Sequence, residues 1–196
     1  MFRTVKVKLP CEQALYQTAV AFNRACQTVL DYGSTNKIHN KDRLNEATYK
    51  QVRVAIPNLP SALVQTARDE ASEMLKRTGY AEVVKKRLSV RYDNRCFKFY
   101  PETDKISLTT VHGRLIFAFK HFNYLDTWKG QYTNAQLIIR KRRAFLNVQV
   151  EVPDVKPRKS EYVRLFVNEP MVAENESLLT GIVDSSYKPP LSRGGS

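Results

Sequence analysis

The sequence predicts an α+β fold, and three observations carry that prediction. One short alternating segment opens the chain, three amphipathic stretches follow, and residues 85–152 then run through six short alternating segments. Those six are RLSVRY, RCFKF, ISLTT, GRLIFAF, AQLIIR and AFLNVQV. Each is rich in β-branched or aromatic residues, and turn-forming residues separate them, as in a twisted antiparallel β-structure. Basic residues occupy many alternate positions and turns, so the β-structure is expected to carry a cationic face.

Taken in order, Arg3–Leu9 alternates. Val5, Val7 and Leu9 fall on one side and Thr4, Lys6 and Lys8 on the other, which predicts a half-buried strand ended by Pro10. Cys11–Tyr32 predicts a helix with a stripe of Leu15, Ala19, Phe22, Cys26 and Val29, closed by Gly33 as its cap. Residues 33–40 read as a loop. A second helix is predicted over 41–55, with Asn40 as N-cap and a thinner stripe of Leu44, Ala47, Val52 and Val54. Pro57 and Pro60 break the chain. A third helix is predicted over 60–78, with Leu63, Val64, Ala67, Ala71, Met74 and Leu75 inward and Gly79 at its end. The helices are expected as a small bundle inserted into, or packed on, a β-domain.

Turns are expected at Asp93-Asn94, at 101–105 and at Val111-His112-Gly113. Residues 121–134 break the alternation and predict a short helix or ordered loop carrying Tyr124, Trp128 and Tyr132. The last hairpin has Arg140-Lys141-Arg142-Arg143 at its tip. After Val152 five prolines punctuate a neutral tail, with one strand-like piece at Glu161–Val167.

The charge balance narrows the function. Lys and Arg number 32 against 19 Asp and Glu, a net +13. Residues 81–152 hold 14 basic and 6 acidic groups, whereas 153–196 hold 6 of each. The excess therefore sits in the β-rich stretch and in the region before it, which suits a polyanionic partner. No amphipathic basic helix and no apolar run near the ~20 residues of a membrane span occur, so no membrane partner is expected. MFRTVKVKLP lacks an apolar signal-peptide core. The three cysteines, Cys11, Cys26 and Cys96, are widely separated, without CxxC or His/Cys spacing. Neither a disulfide framework nor a zinc site is expected, and a reducing, cytoplasmic setting is.

Catalytic signals are weak. His39, His112 and His121 lack nucleophile partners, no Gly-rich phosphate loop occurs, and the carboxylates are scattered. Asp184 is the one candidate for two-metal nuclease chemistry, which needs at least two converging carboxylates. Binding is the stronger signal. Lys85, Lys86, Arg87, Arg91, Arg95 and Lys98 fall within fourteen residues. Positions two apart on a strand share a face, so Arg87 and Arg91 are expected to line one surface, with a hairpin return bringing Arg95 alongside. Interleaved aromatics, Tyr92, Phe97, Phe99 and Tyr100, are expected mostly in the core, with one or two free to stack on bases.

RTVKVKL-P, followed by a helix of the type EQ-x-L-x(6)-F-N-x-A-C, resembles the start of the TnpB family. These are transposon-encoded RNA-guided DNA nucleases related to type V CRISPR effectors. The likeness continues in LPSALVQTARDEASEMLK, SVRYDNRCFKFYPETDKISLTTVHGRLIFAF and AQLIIRKRRAFLNVQVEVP, covering residues 1–153 in order. It implies an oligonucleotide-binding-like β-barrel (a WED domain) built from strand 3–9 and strands 87–152, with a helical REC domain inserted at 11–80. It implies a structured guide RNA held by Lys6, Lys8, Arg24, Lys85, Lys86, Arg87, Arg91, Arg95, Lys98 and the tip Arg140, Lys141, Arg142, Arg143. It further implies a target DNA duplex read beside its short motif by Ser61, Gln65, Tyr92 and Asp93, in a nucleoid-associated prokaryotic protein.

The family's RuvC-like nuclease domain opens with G-[IV]-D-x-G soon after the equivalent of Pro153. Residues 159–190 depart from that pattern, and Asp184 in TGIVDSS lacks the following Gly. The expectation is therefore a nuclease-less, guide-RNA-binding protein without a metal cofactor of its own. The alternatives are a subunit of a split nuclease, completed by a RuvC-bearing partner that supplies Mg²⁺ chemistry, or a decayed transposon fragment.

Overall fold

The computed structural model describes residues 2–120 and 132–151. The sequence features at 121–131 and 152–196, Trp128, the 161–167 segment and Asp184 among them, lie outside the described residues. The described elements are strand β1 (Phe2–Leu9), helices α1 (Gln13–Asn36), α2 (Lys41–Ala55) and α3 (Ser61–Thr78), and strands β2 (Ser89–Asp93), β3 (Phe97–Tyr100), β4 (Lys105–Thr110), β5 (Gly113–Ala118), β6 (Tyr132–Arg140) and β7 (Arg143–Glu151).

The α+β class holds, with three helices and two antiparallel sheets. One sheet has four strands in the order β1-β7-β6-β2, and the other has three in the order β3-β4-β5. Among the described residues the ladder does not close into one barrel. The reason lies at Asp93–Cys96, where Cys96 N–H donates to Asp93 O at 3.2 Å and turns the chain out of the first sheet. β2 therefore pairs with β6, and β3 pairs with β4. A strand path that switches sheets in this way makes a corner. The expected return of Arg95 beside Arg87 and Arg91 does not occur.

The helices and strands form as their patterns predict, with three corrections. α1 runs on to Asn36, and Lys37 takes the left-handed cap at φ 56°. Gly33 sits inside the helix because a Cβ there would lie 2.7 Å from Ile38 O and closer still to a Leu75 methyl. The glycine permits close packing rather than a cap. α2 buries Leu44, Thr48 and Val52, while Ala47 and Val54 are exposed. The Thr48 hydroxyl donates to Leu44 O, which lets a polar residue replace the expected apolar ones. Asn40 does cap α2, its side chain accepting from Asp42 N at 3.0 Å and Arg43 N at 3.1 Å. Gly79 ends α3 at φ 60°.

The third correction concerns β6, which begins at Tyr132 with a register irregularity before Ala135. Tyr132 meets Phe97 edge-on at 5.2 Å between ring centroids, and this aromatic contact joins the two sheets. One core runs through the described residues. It takes Phe22 and Leu15 from α1, Leu63 and Leu75 from α3, Leu137 and Leu146 from the four-stranded sheet, and Phe97, Ile106 and Leu108 from the other. Truncating one of these fully buried side chains to Ala costs about 2–5 kcal/mol.

Candidate nucleic-acid interface

Antiparallel register assembles the site. Along β1 the residues Val5, Val7 and Leu9 are buried, so Thr4, Lys6 and Lys8 point outward. Lys6 faces Asn147, Asn147 faces Gln136, and Gln136 faces Arg91. One polar row thus crosses all four strands. The next row is Lys8, Phe145, Ile138 and Ser89. Lys6 Nζ lies 4.5 Å from the centre of the Phe145 ring, a cation–π contact on this same outer face.

One end of this face is strongly basic. β6 and β7 are joined by a two-residue turn, with Arg140 paired to Arg143 and both Lys141 (φ 47°) and Arg142 (φ 59°) in the left-handed region. This is the geometry of the turn that ordinarily selects Asn-Gly. All four tip residues are exposed. Ile139 N–H donates to Leu88 O at 2.9 Å, which carries the β2–β6 pairing one residue past Ser89, to the neighbour of Arg87.

The segment 81–88 has no regular structure of its own, and α1 holds it by side-chain hydrogen bonds. Asn23 donates to Arg87 O at 2.8 Å and to Lys85 O at 3.3 Å. Gln27 donates to Val83 O at 3.1 Å and accepts from Lys85 N at 2.9 Å. Lys86 and Arg87 are thereby presented as exposed cations, and Arg24 is exposed one residue beyond Asn23.

Lys85 is different. Its side chain is 4% exposed, its amine is paired with Glu70 and lies 3.1 Å from Ser89 Oγ, and the Phe22 ring is 5.4 Å away. The sequence places Lys85 among the RNA-binding cations, and the structure corrects this to a buried ion pair between α3 and the start of β2. Burial also removes Tyr92, which is fully enclosed with its hydroxyl unpartnered among the described residues. Alternation explains it, because Tyr92 shares the inward side of β2 with Val90. Lys98 is half-buried on β3, in the other sheet from Arg91.

The residues expected at a DNA duplex do partly meet. Arg95 reaches Asp93 Oδ2 through Nη2 at 2.6 Å and Nε at 2.8 Å, and donates from Nη1 to Gln65 Oε1 at 2.6 Å. Ser61 is exposed at the start of α3, one helical turn before Gln65. Burial pushes the Asp93 carboxyl upward. Hydrogen bonds from the Arg95 side chain, the Cys96 thiol and the Arg95 backbone outweigh it and hold the carboxyl below its usual range.

Between α3 and the polar face of the four-stranded sheet lies a groove of about 590 Å³. Its floor carries Thr4, Asn134, Gln136, Asn147 and Gln149, and its α3 wall carries Glu70, Glu73 and Arg77. Arg91 Nη1 pairs with Glu73 Oε2 at 2.7 Å inside it. Nothing in the sequence alone marks the carboxamide floor as functional. The polar alternate positions of YTNAQLIIR and RAFLNVQVE are legible there, but only pairing shows that the two sets are neighbours. Among the described residues no group of three or more His, Cys, Asp or Glu side chains converges as a metal site, and no helix is long and apolar enough to cross a membrane. No protein-family model and no curated protein matches the chain.

Proposed function

We propose that this chain binds a structured guide RNA as a nuclease-less protein of TnpB type, taking part in RNA-guided DNA recognition without cutting. The observation that carries the reading is the gathering of Lys8 and Arg140–Arg143 at one end of a single sheet face, with exposed Arg87 next to Leu88, which is hydrogen-bonded to that same end of β6. Like charges gathered this way repel one another, and a phosphate backbone relieves that repulsion while releasing counterions. In this reading the two sheets are the halves of an oligonucleotide-binding-like barrel, and α1–α3 are its inserted helical domain. Gln65, held by Arg95, and exposed Ser61 would face the target-adjacent duplex, where a glutamine carboxamide can match adenine.

Sequencing the RNA that copurifies with the tagged protein tests the proposal. One defined, structured RNA is expected, bound with an affinity that falls steeply as salt rises. Random RNA, or a flat salt response, would sink it.

A further inference from the structure

The groove is zoned by charge in a way that a phosphate-binding cleft is not. Three of its lining cations are exposed, Lys86 and Arg87 beside β2 and Arg77 at the end of the α3 wall. Its interior is balanced in charge, because Glu70 and Glu73 are paired with Lys85 and Arg91, and its floor of Asn134, Gln136, Asn147 and Gln149 is neutral. With its charges paired, the interior offers phosphate no net attraction, while the open amides can accept from the amino groups of bases and donate to their ring nitrogens. The four floor carboxamides make no side-chain hydrogen bond among the described residues, although Asn134, Gln136 and Asn147 are half-buried. Half-buried amides with open donors and acceptors favour a ligand that supplies both.

From this zoning we infer that the groove takes unpaired RNA bases, with the strand's phosphates on the cationic rim, and that it favours adenine. The inference rests on the RNA-binding reading above and names what that face reads. Gln136 and Asn147 are cross-strand neighbours. A carboxamide matches adenine with both ends at once, its oxygen accepting from N6 and its nitrogen donating to N7. Arginine is the side chain that selects guanine, through O6 and N7. Arg91 stands in the same row, and its guanidinium is engaged by Glu73 at 2.7 Å. The guanine reader is thus occupied, while the adenine readers are open. The volume of about 590 Å³ lies within the usual range of roughly 300–1,000 Å³ for ligand clefts. An A-form RNA duplex holds N6 and N7 in a deep, narrow major groove that side chains cannot read, so it cannot offer them to the floor.

Fluorescence anisotropy with labelled twelve-nucleotide RNAs (oligo(A), oligo(U), oligo(C) and a duplex) at several salt concentrations tests this. Oligo(A) is expected to bind about tenfold tighter than the others, from the discrimination typical of one good bidentate pair. Gln136→Met keeps the side-chain length and removes both hydrogen-bonding ends. Asn147→Ala truncates the neighbouring amide. Either variant should reduce the adenine preference to threefold or less while leaving the salt dependence unchanged, with circular dichroism confirming the fold. Equal binding of all four RNAs by the unmodified chain, or an undiminished preference in both folded variants, would overturn the base-reading groove while leaving RNA binding standing. Absence of binding to every RNA at low salt would overturn both.

Discussion

Arg91 of β2 and Glu73 of α3 meet at 2.7 Å inside the groove, so the helical layer neutralises a cation that the sheet offers. Both side chains remain partly exposed, at 34% and 54%. Pairs of this kind contribute about 0–1 kcal/mol to stability. Their larger effect is to withhold a charge from an anionic ligand.

Glu73→Gln should therefore leave thermal stability nearly unchanged and tighten RNA binding. Removing the Glu73 charge leaves Arg91 uncompensated beside the RNA, so the plot of log affinity against log salt should steepen, by at most the roughly 0.7–0.9 of one added charge. Weaker binding by this variant, or an unchanged slope, would show that Arg91 does not face the RNA.

Lys85→Met should behave in the opposite way. It leaves the Glu70 carboxylate buried and unpaired, because Glu70 Oε2 already has no partner among the described residues. A loss of about 3–5 kcal/mol is expected in urea unfolding. Adding Glu70→Leu should restore much of it. RNA affinity measured below the melting temperature should not change, whereas a direct contact role for Lys85 would lower it.

The basic hairpin tip should separate stability from binding. Two consecutive non-glycine residues at positive φ cost roughly 1–2 kcal/mol each relative to glycine. Lys141→Asn with Arg142→Gly should raise stability by about 1–2 kcal/mol and weaken RNA binding severalfold through two lost cations. Retained affinity would remove the tip from the interface.

The thiols supply a pH test. Burial pushes both Cys26 and Cys96 up to about 12, while the unfolded chain ionises its thiols near 8.5. The folded state then holds protons that the unfolded state releases. The stabilisation is complete below pH about 8.5 and is lost as pH rises toward about 12. Urea midpoints should fall across that window, less so in Cys26→Ala and Cys96→Ala when each is compared with its own value at pH 7. A thiol reagent at pH 8 should titrate exposed Cys11 alone in the folded protein and all three cysteines in urea.

Local pattern made most of the elements legible. Alternation at Val5, Val7 and Leu9 located β1, and the Leu15–Val29 stripe located α1, because burial of one face imposes a period on the sequence. Gly33 misled for a related reason. A glycine that admits Leu75 and one that caps a helix look alike until the partner is in place. In the second helix, Thr48 took the inward position because its hydroxyl returns to its own backbone, an option that an apolar stripe does not reveal.

The sequence by itself determined the α+β class, the cationic excess and its concentration in the β-rich stretch, since composition and periodicity are properties of the chain alone. Tertiary structure decided which cations are available. Lys85 and Arg87 are two residues apart, yet one amine is buried against Glu70 and the other side chain is exposed at the face. Which strands pair, and what a helix lays against them, depends on contacts between residues more than fifty positions apart, such as Asn23 to Arg87 and Lys6 to Asn147. Charge is written in the sequence; its neutralisation is a property of distance, and distance is set only when the chain folds.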